Sequence, residues 1–246
     1  MKIIQLTDTH LFANDTSELF GVKTNLKFRN IIEKILVKDI VDTDIFILTG
    51  DISQDESEQS YQIIAESLSK LNIPVYWIPG NHDDVTQMES VFNKYKDFVR
   101  TRQLSFPDWN LIFINTKLNN ADEGYLTKYE LKILQKELQL ASHKKIAIIM
   151  HHHPAPVGTP LIDHYILKNN AAFWEIVTGT KVELIICGHV HGDYAFKYNN
   201  IMIESAPATC FQWEKGTTDL RIDPHIGYKI YYFDAHTYNS TSTIWK

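Results

Sequence analysis

The 246 residues are 44% hydrophobic and 12% aromatic, enough apolar side chain for one sizeable core, which excludes an intrinsically disordered chain. The formal charge of −6, from 24 basic and 30 acidic residues, supplies no general field for nucleic acid or an anionic membrane surface, so any anionic ligand must be held by a local cation. Two cysteines, Cys187 and Cys210, are too few for a disulfide framework, and no apolar run reaches the length of a signal peptide or membrane span; the expectation is a soluble, cytoplasmic protein.

In chain order, short β-branched runs predict strands at 2–6, 44–49, 74–79, 110–115, 145–150 and 182–187. Helix-period segments lie between them at 25–39, 57–70, 85–98, 127–141 and 168–178. Asn25, Ser57 and Thr127 are the expected N-caps, and Thr127 with Glu130 matches a capping box. After residue 193 the character changes. YAFKY, IMIES, IGYKIYYFD and TSTIWK read as strands between Asn-Asn, Pro and Gly turns, with no helix. No repeat or linker interrupts the chain, so residues 1–246 read as a single domain of α/β class, two packed sheets with helices outside.

The residues following the strands carry a pattern. Asp8-Thr9-His10 follows the first, Gly50-Asp51 the second and Gly80-Asn81-His82-Asp83 the third; His151-His152-His153 follows KIAIIM, and Gly188-His189-Val190-His191 follows VELIIC. Any one of these by itself reads better as a polar turn, since Gly, Asn and Asp are the usual turn formers. Together they do not, because seven of the eleven histidines fall in these five groups and the carboxyl ends of strands in an open α/β sheet converge on one edge. Carboxylates, imidazoles and an amide oxygen, without thiolate, suit Mn(II), Fe(II) or Zn(II) rather than a cysteine-built structural zinc. A carboxylate can bridge two such ions, and a dinuclear pair can clamp the attacking and leaving oxygens of an in-line phosphoryl displacement.

The ordered set Asp-x-His, Gly-Asp, Gly-Asn-His-Asp, His and Gly-His-x-His over residues 8–191 resembles the calcineurin-like metallophosphoesterases. The longer blocks TDTHLFANDTSELFGVKT, LTGDISQDESEQSY, YWIPGNHD, HHHPAPVGTPLIDHY, CGHVHGD and SAPATCFQW are similar, more narrowly, to the bacterial class III 3′,5′-cyclic AMP phosphodiesterases. The resemblance implies a four-layer αββα sandwich of two packed mixed β-sheets flanked by helices. It implies two divalent ions, Fe(II) or Mn(II) with Zn(II) compatible: Asp8, His10 and His191 on one, Asn81, His151 and His189 on the other, and Asp51 bridging. Of three successive histidines, His151 takes the family's ligand position, His152 is the alternative, and His153 orients the loop or touches substrate. His82 is implied near the substrate, protonating the leaving alkoxide or steadying the phosphorane, and Asp83 either orients its imidazole or caps the next helix. The implied reaction is hydrolysis of cyclic AMP to 5′-AMP by in-line attack of a metal-bridging hydroxide, with Asp51 and His82 as its catalytic residues.

A phosphodiesterase acting on other cyclic nucleotides or on glycerophosphodiesters would share all these residues. A nuclease with the same ligands would need basic surfaces that the charge argues against, and a non-catalytic scaffold would have lost ligands that are all present here. Loops around Leu11–Thr24, Ala155–Tyr165 and Ala208–Trp213 are the expected walls of a small-molecule cleft. Phe211 or Trp213 is placed to stack on a purine or to belong to the core.

Overall fold

Strands buried on both faces are rich in apolar residues, and the six predicted runs form largely buried strands in the computed structural model, which describes residues 1–246. The first half contains β1 (Lys2–Leu6), α1 (Thr24–Lys38), β2 (Ile45–Thr49), α2 (Glu58–Ser69), β3 (Val75–Ile78), α3 (Val85–Phe92), β4 (Phe98–Val99), β5 (Gln103–Ser105) and β6 (Trp109–Phe113). It is followed by α4 (Lys128–Leu140), β7 (Lys145–Ile149), α5 (Pro160–Asp163), α6 (Asn170–Val177) and β8 (Val182–Cys187). The tail is β9 (Tyr194–Tyr198), β10 (Ile201–Ser205), β11 (Gln212–Trp213), β12 (Ile222–Asp223), β13 (Ile226–Phe233) and β14 (Tyr238–Trp245).

Two six-stranded sheets result, ordered β14-β13-β1-β2-β3-β4 and β5-β6-β7-β8-β10-β9, with β11 and β12 forming a separate ribbon. β1 to β4 are parallel to one another, as are β6, β7, β8 and β10, so each sheet has a block of strands with carboxyl ends at one edge. Both sheets are mixed, because β13 and β14 join the first antiparallel and β5 and β9 flank the second antiparallel. Alternation along each strand sorts the layers. On β2, Phe46 and Leu48 pack against helix residues Phe28, Ile31, Tyr61 and Ile64 on the outer face. Ile45 and Ile47 meet Leu111, Ile149, Leu184 and Ile186 of the other sheet. On β7, Ile146 and Ile148 face Leu134, Leu138, Phe173 and Val177. The order of layers is helix, sheet, sheet, helix.

Three local expectations need correction. The helix expected over 85–98 stops at Phe92, because Val75 donates to the Asp97 carbonyl (2.7 Å) and Phe98 pairs with Val75, drawing that segment into the sheet edge as β4. Asn25 does not cap α1: its amide is committed to Phe12 and Asp15, which fastens the loop after β1, and Lys23 occupies the cap without a side-chain bond. Ser57 and Thr127 do cap, but Glu130 completes no box because its carboxylate is held by Arg102 at 2.5 and 2.6 Å.

One charged side chain links the sheets near the strand ends. Lys229 of β13 is 3% exposed; its Nζ lies 2.9 Å from Glu204 of β10 and 3.0 Å from Asp193, and donates to the Ser205 carbonyl at 3.2 Å. Tyr238 of β14 donates to the other Glu204 oxygen at 2.8 Å. Removing one member of such a buried pair strands the other charge, so Lys229→Met is expected to cost about 3–5 kcal/mol, and Glu204→Gln in the same background should recover part of it. Urea unfolding of both variants checks this; a single variant within 1 kcal/mol of wild type would remove the pair from the stability of the sandwich.

Candidate metal centre

The five strand-end groups meet at one edge, Asp8, His10, Asp51 and Asn81 coming from the first sheet and His151, His189 and His191 from the second. The loops are tied to one another by main chain: Asp8 donates to Gly50 and His10 to Asp51, while Gly188 donates to the His151 carbonyl, all at 3.0 Å. Asp8, His10, Asp51, His189 and His191 all sit at positive φ, between 40° and 68°. Left-handed backbone is costly for residues with a Cβ, about 1–2 kcal/mol each, and strain of this kind concentrates where side-chain direction matters more than stability. Glycines make the approach possible. A Cβ at Gly80 would overlap the Asp51 carboxylate, and one at Gly188 would overlap the Thr7 hydroxyl.

The donor atoms face inward. His151 Nδ1 is occupied by the Thr49 carbonyl (2.6 Å), His191 Nδ1 by the Phe211 carbonyl (3.0 Å) and His10 Nδ1 by the Gln54 side-chain oxygen (2.8 Å), so each ring presents Nε2 to the centre. Asp51 Oδ2 lies 3.4 Å from His151 Nε2 and 3.7 Å from His10 Nε2, facing rings of both expected ligand sets with one oxygen. Its Oδ1 accepts from the His82 amide at 2.9 Å. Asp8 Oδ1 is 3.5 Å from His191 Nε2, His10 Nε2 is 3.1 Å from His191 Nε2, and Asn81 Oδ1 is 3.1 Å from His151 Nε2.

These residues fit a pair of cations on their own chemistry. The imidazole Nε2 of His189 is buried with no hydrogen-bond partner, and the Nε2 atoms of His10 and His191 point at each other across a site that also holds two buried carboxylates. Burial pushes Asp8 up to about 7 and His10 down to about 4, and it holds His189 and His191 well below the ordinary imidazole value. Neutral imidazole is the ligating form. At Asp51 and His151 burial works against both charges, but their mutual attraction prevails: Asp51 is held well below the usual carboxylate range and His151 is lifted to about 9. A divalent ion would compete for that position with the proton.

His152 lies in one compact donor group with His151 and His189, yet both its ring nitrogens have protein partners, Thr116 Oγ1 at 2.8 Å and the Asp122 carbonyl at 3.1 Å. Its lone pair is spent, whereas His151 Nε2 faces Asp51 and Asn81. His153 leans on Asp163 at 3.3 Å, and Asp163 in turn accepts from the Val157 and Gly158 amides, so the pair orders the loop. Asp83 neither orients the His82 imidazole nor caps α3. Its carboxylate accepts from the amides of Ile52, Ser53 and Gly80 and from the Tyr61 hydroxyl, and Asp84 caps the helix. The His82 ring sits edge-on to His10, with centroids 5.1 Å apart, on the wall of a cleft of about 230 Å³ that it shares with Asp51, Asn81 and His191.

Several supporting groups escaped sequence reasoning. Thr7 donates to Asp8 Oδ2 at 2.6 Å, Lys117 Nζ holds the Asn81 carbonyl at 2.7 Å, and Gln54 orients His10. Gln54, three residues beyond Asp51, carried a weak signal as the first amide after that aspartate. The carbonyls of Thr49 and Phe211 carried none, because main chain is the same at every position.

The family model described as calcineurin-like phosphoesterase matches residues 1–193, which contain all five strand-end groups. The chain belongs to the calcineurin-like phosphoesterase family. Among its relatives in this family, the chain is 36% identical over 231 residues to the Vibrio vulnificus protein named 3′,5′-cyclic adenosine monophosphate phosphodiesterase CpdA, covering 91% of this chain and 81% of the relative. It is 28% identical over 224 residues to the Escherichia coli K12 protein of the same name, covering 91% and 81%. A dimetal phosphatase from Danio rerio superposes with a TM-score of 0.73 over 98% of this chain and 95% of its own, at 11% identity, and shares the fold.

Groups that orient the ligands of a phosphoesterase centre tune it measurably, typically by 10–100-fold in metal affinity. Gln54→Leu removes the acceptor that fixes the His10 ring and is expected to weaken Mn(II) binding by about that factor. Equilibrium dialysis against Mn(II) checks it, and an unchanged affinity would show that His10 needs no such support.

Proposed function

We propose that this phosphoesterase hydrolyses 3′,5′-cyclic AMP to 5′-AMP, using two divalent cations, with the 246 residues acting as a single domain. The observation that carries the reading is Asp51, whose one oxygen faces His10 from one ligand set and His151 from the other beside an open cleft. Asp8, His10 and His191 would hold one ion, Asn81, His151 and His189 the second, with Asp51 shared. Fe(II) or Mn(II) suits this donor set, and Zn(II) is compatible. When bound, such ions supply Lewis acidity toward phosphoryl oxygens and lower the pKa of water.

The protein's own groups do the rest. Hydrolysis adds water across the bond between phosphorus and the ribose 3′-oxygen, and His82, at the cleft wall, gives the departing oxygen its proton. The His82 main-chain amide, bonded to Asp51, ties the backbone of that residue to the carboxylate, and its ring packs edge-on to His10. An apolar wall with Phe20, Tyr165 and Trp213 favours a substrate carrying a base over a glycerophosphodiester. No helix is long and apolar enough to cross a membrane. Both cysteines are unpaired and buried, as suits a reducing cytoplasmic setting.

Mn(II)-loaded protein incubated with 3′,5′-cyclic AMP, 2′,3′-cyclic AMP and glycerophosphodiesters should convert the first selectively to 5′-AMP, and chelation should abolish turnover. Turnover of the other diesters alone would discard the cyclic AMP assignment. Asp51→Ala should lose both ions and at least about 100-fold in rate, whereas His82→Ala should lose about 100-fold in rate with metal content retained. Metal analysis beside kinetics separates the two, and equal loss of metal in His82→Ala would make it a ligand.

A further inference from the structure

The two aromatics expected to stack on a purine are otherwise engaged. Phe211 is fully buried, and both Phe211 and Trp213 lie tilted against the His191 ring, with centroids 5.0 and 5.4 Å away. The exposed apolar surface of the cleft belongs instead to Phe20, 53% exposed, and Leu220, 65% exposed.

Phe20 is held there against its own backbone preference. Leu19 and Val22 exchange both main-chain hydrogen bonds at 2.9 Å, closing a two-residue hairpin whose central residues, Phe20 and Gly21, have φ of 49° and 77°. A turn with positive φ at both central positions favours Asn-Gly, and a bulky aromatic at the first is a strained choice. The hydrophobic effect does not offset that strain, because the ring stays half exposed. Phe211 and Trp213 brace it at steep angles, 88° and 70°, with centroids 5.8 and 5.7 Å away, and neither covers it by parallel stacking. Strained backbone presenting an uncovered ring into the cleft that also contains Asp51, Asn81 and His82 points to a ligand contact.

We propose that Phe20 is the specificity-determining residue of this site, receiving the face of the nucleobase while the phosphodiester lies at Asp51, Asn81 and His82, with Leu220 as a second apolar contact. The inference rests on the cyclic-nucleotide reading and adds to it the residue that selects the base. Stacking on an aromatic ring is open to any base but strongest for purines, so Phe20 would set a preference for purine over pyrimidine substrates.

The test compares 5′-AMP with its base-free counterpart ribose 5-phosphate as competitive inhibitors of Mn(II)-dependent bis(p-nitrophenyl) phosphate hydrolysis, in wild type, Phe20→Asn and Phe20→Tyr. Asparagine suits the left-handed turn position, so the first variant keeps the hairpin, and tyrosine restores the ring. In wild type 5′-AMP should bind about tenfold more tightly than ribose 5-phosphate. Phe20→Asn should bring the ratio close to one by weakening 5′-AMP alone, and Phe20→Tyr should restore it. A wild-type ratio retained in Phe20→Asn, or equal weakening of both inhibitors as a merely structural role would give, overturns the proposal. Equal affinities already in wild type would overturn the nucleotide reading and the role of Phe20 with it.

Discussion

Two carboxylates and four inward-facing imidazoles share one buried pocket, and the free energy of keeping them there constrains the structure around it. Isolated charge in such a place is penalised by several kcal/mol, so Asp8 is pushed toward its neutral form while Asp51 is held ionised by the imidazoles around it, His151 foremost. Cations relieve both problems at once, since they favour the ionised carboxylate and the neutral imidazole together. The left-handed backbone at five donor positions and the glycines that let Asp51 and Asp8 approach their neighbours are the local consequences of building such a pocket.

The pocket also explains why the sandwich has two sheets of this construction. Parallel strands bring their carboxyl ends together, and the two packed sheets bring two such edges side by side. In the proposed assignment each ion takes donors from both: Asp8 and His10 with His191, and Asn81 with His151 and His189. Ion binding and sheet packing are then coupled, because the donor geometry exists only while the sheets keep their register. The buried Lys229–Glu204 pair, with Asp193 two residues beyond His191 as a further partner, joins the same two sheets by protein charge alone.

Beyond the donors, the cleft divides by chemistry. Its lining consists of polar groups, Asp51, Asn81 and His82 among them, and of an apolar wall braced on Phe211 and Trp213. The same aromatic pair packs against the His191 ring and against Phe20, so the proposed metal geometry and base recognition would have a common foundation. The hydrophobic contacts at His191 thus serve the site twice.

Six strands were legible from composition alone, because a strand buried on both faces is an apolar run whatever surrounds it. So were the donor blocks, because polar residues recur wherever such a run stops. Helix ends were less legible: the period through Phe98 continues that of α3, and only pairing with Val75 makes it a strand. Asn25 and Glu130 carry the chemistry of caps, yet Phe12 and Arg102, distant in sequence, claim them. How His151, His152 and His153 differ depends on where each second nitrogen goes, and Asp83 could not be placed until the amides it collects were assembled around it. The sequence by itself determined which chemical groups the protein owns and that they lie at strand ends. Which of them face one another was decided only by the tertiary structure, because hydrogen-bond partners and ring orientations depend on segments brought together across more than a hundred residues.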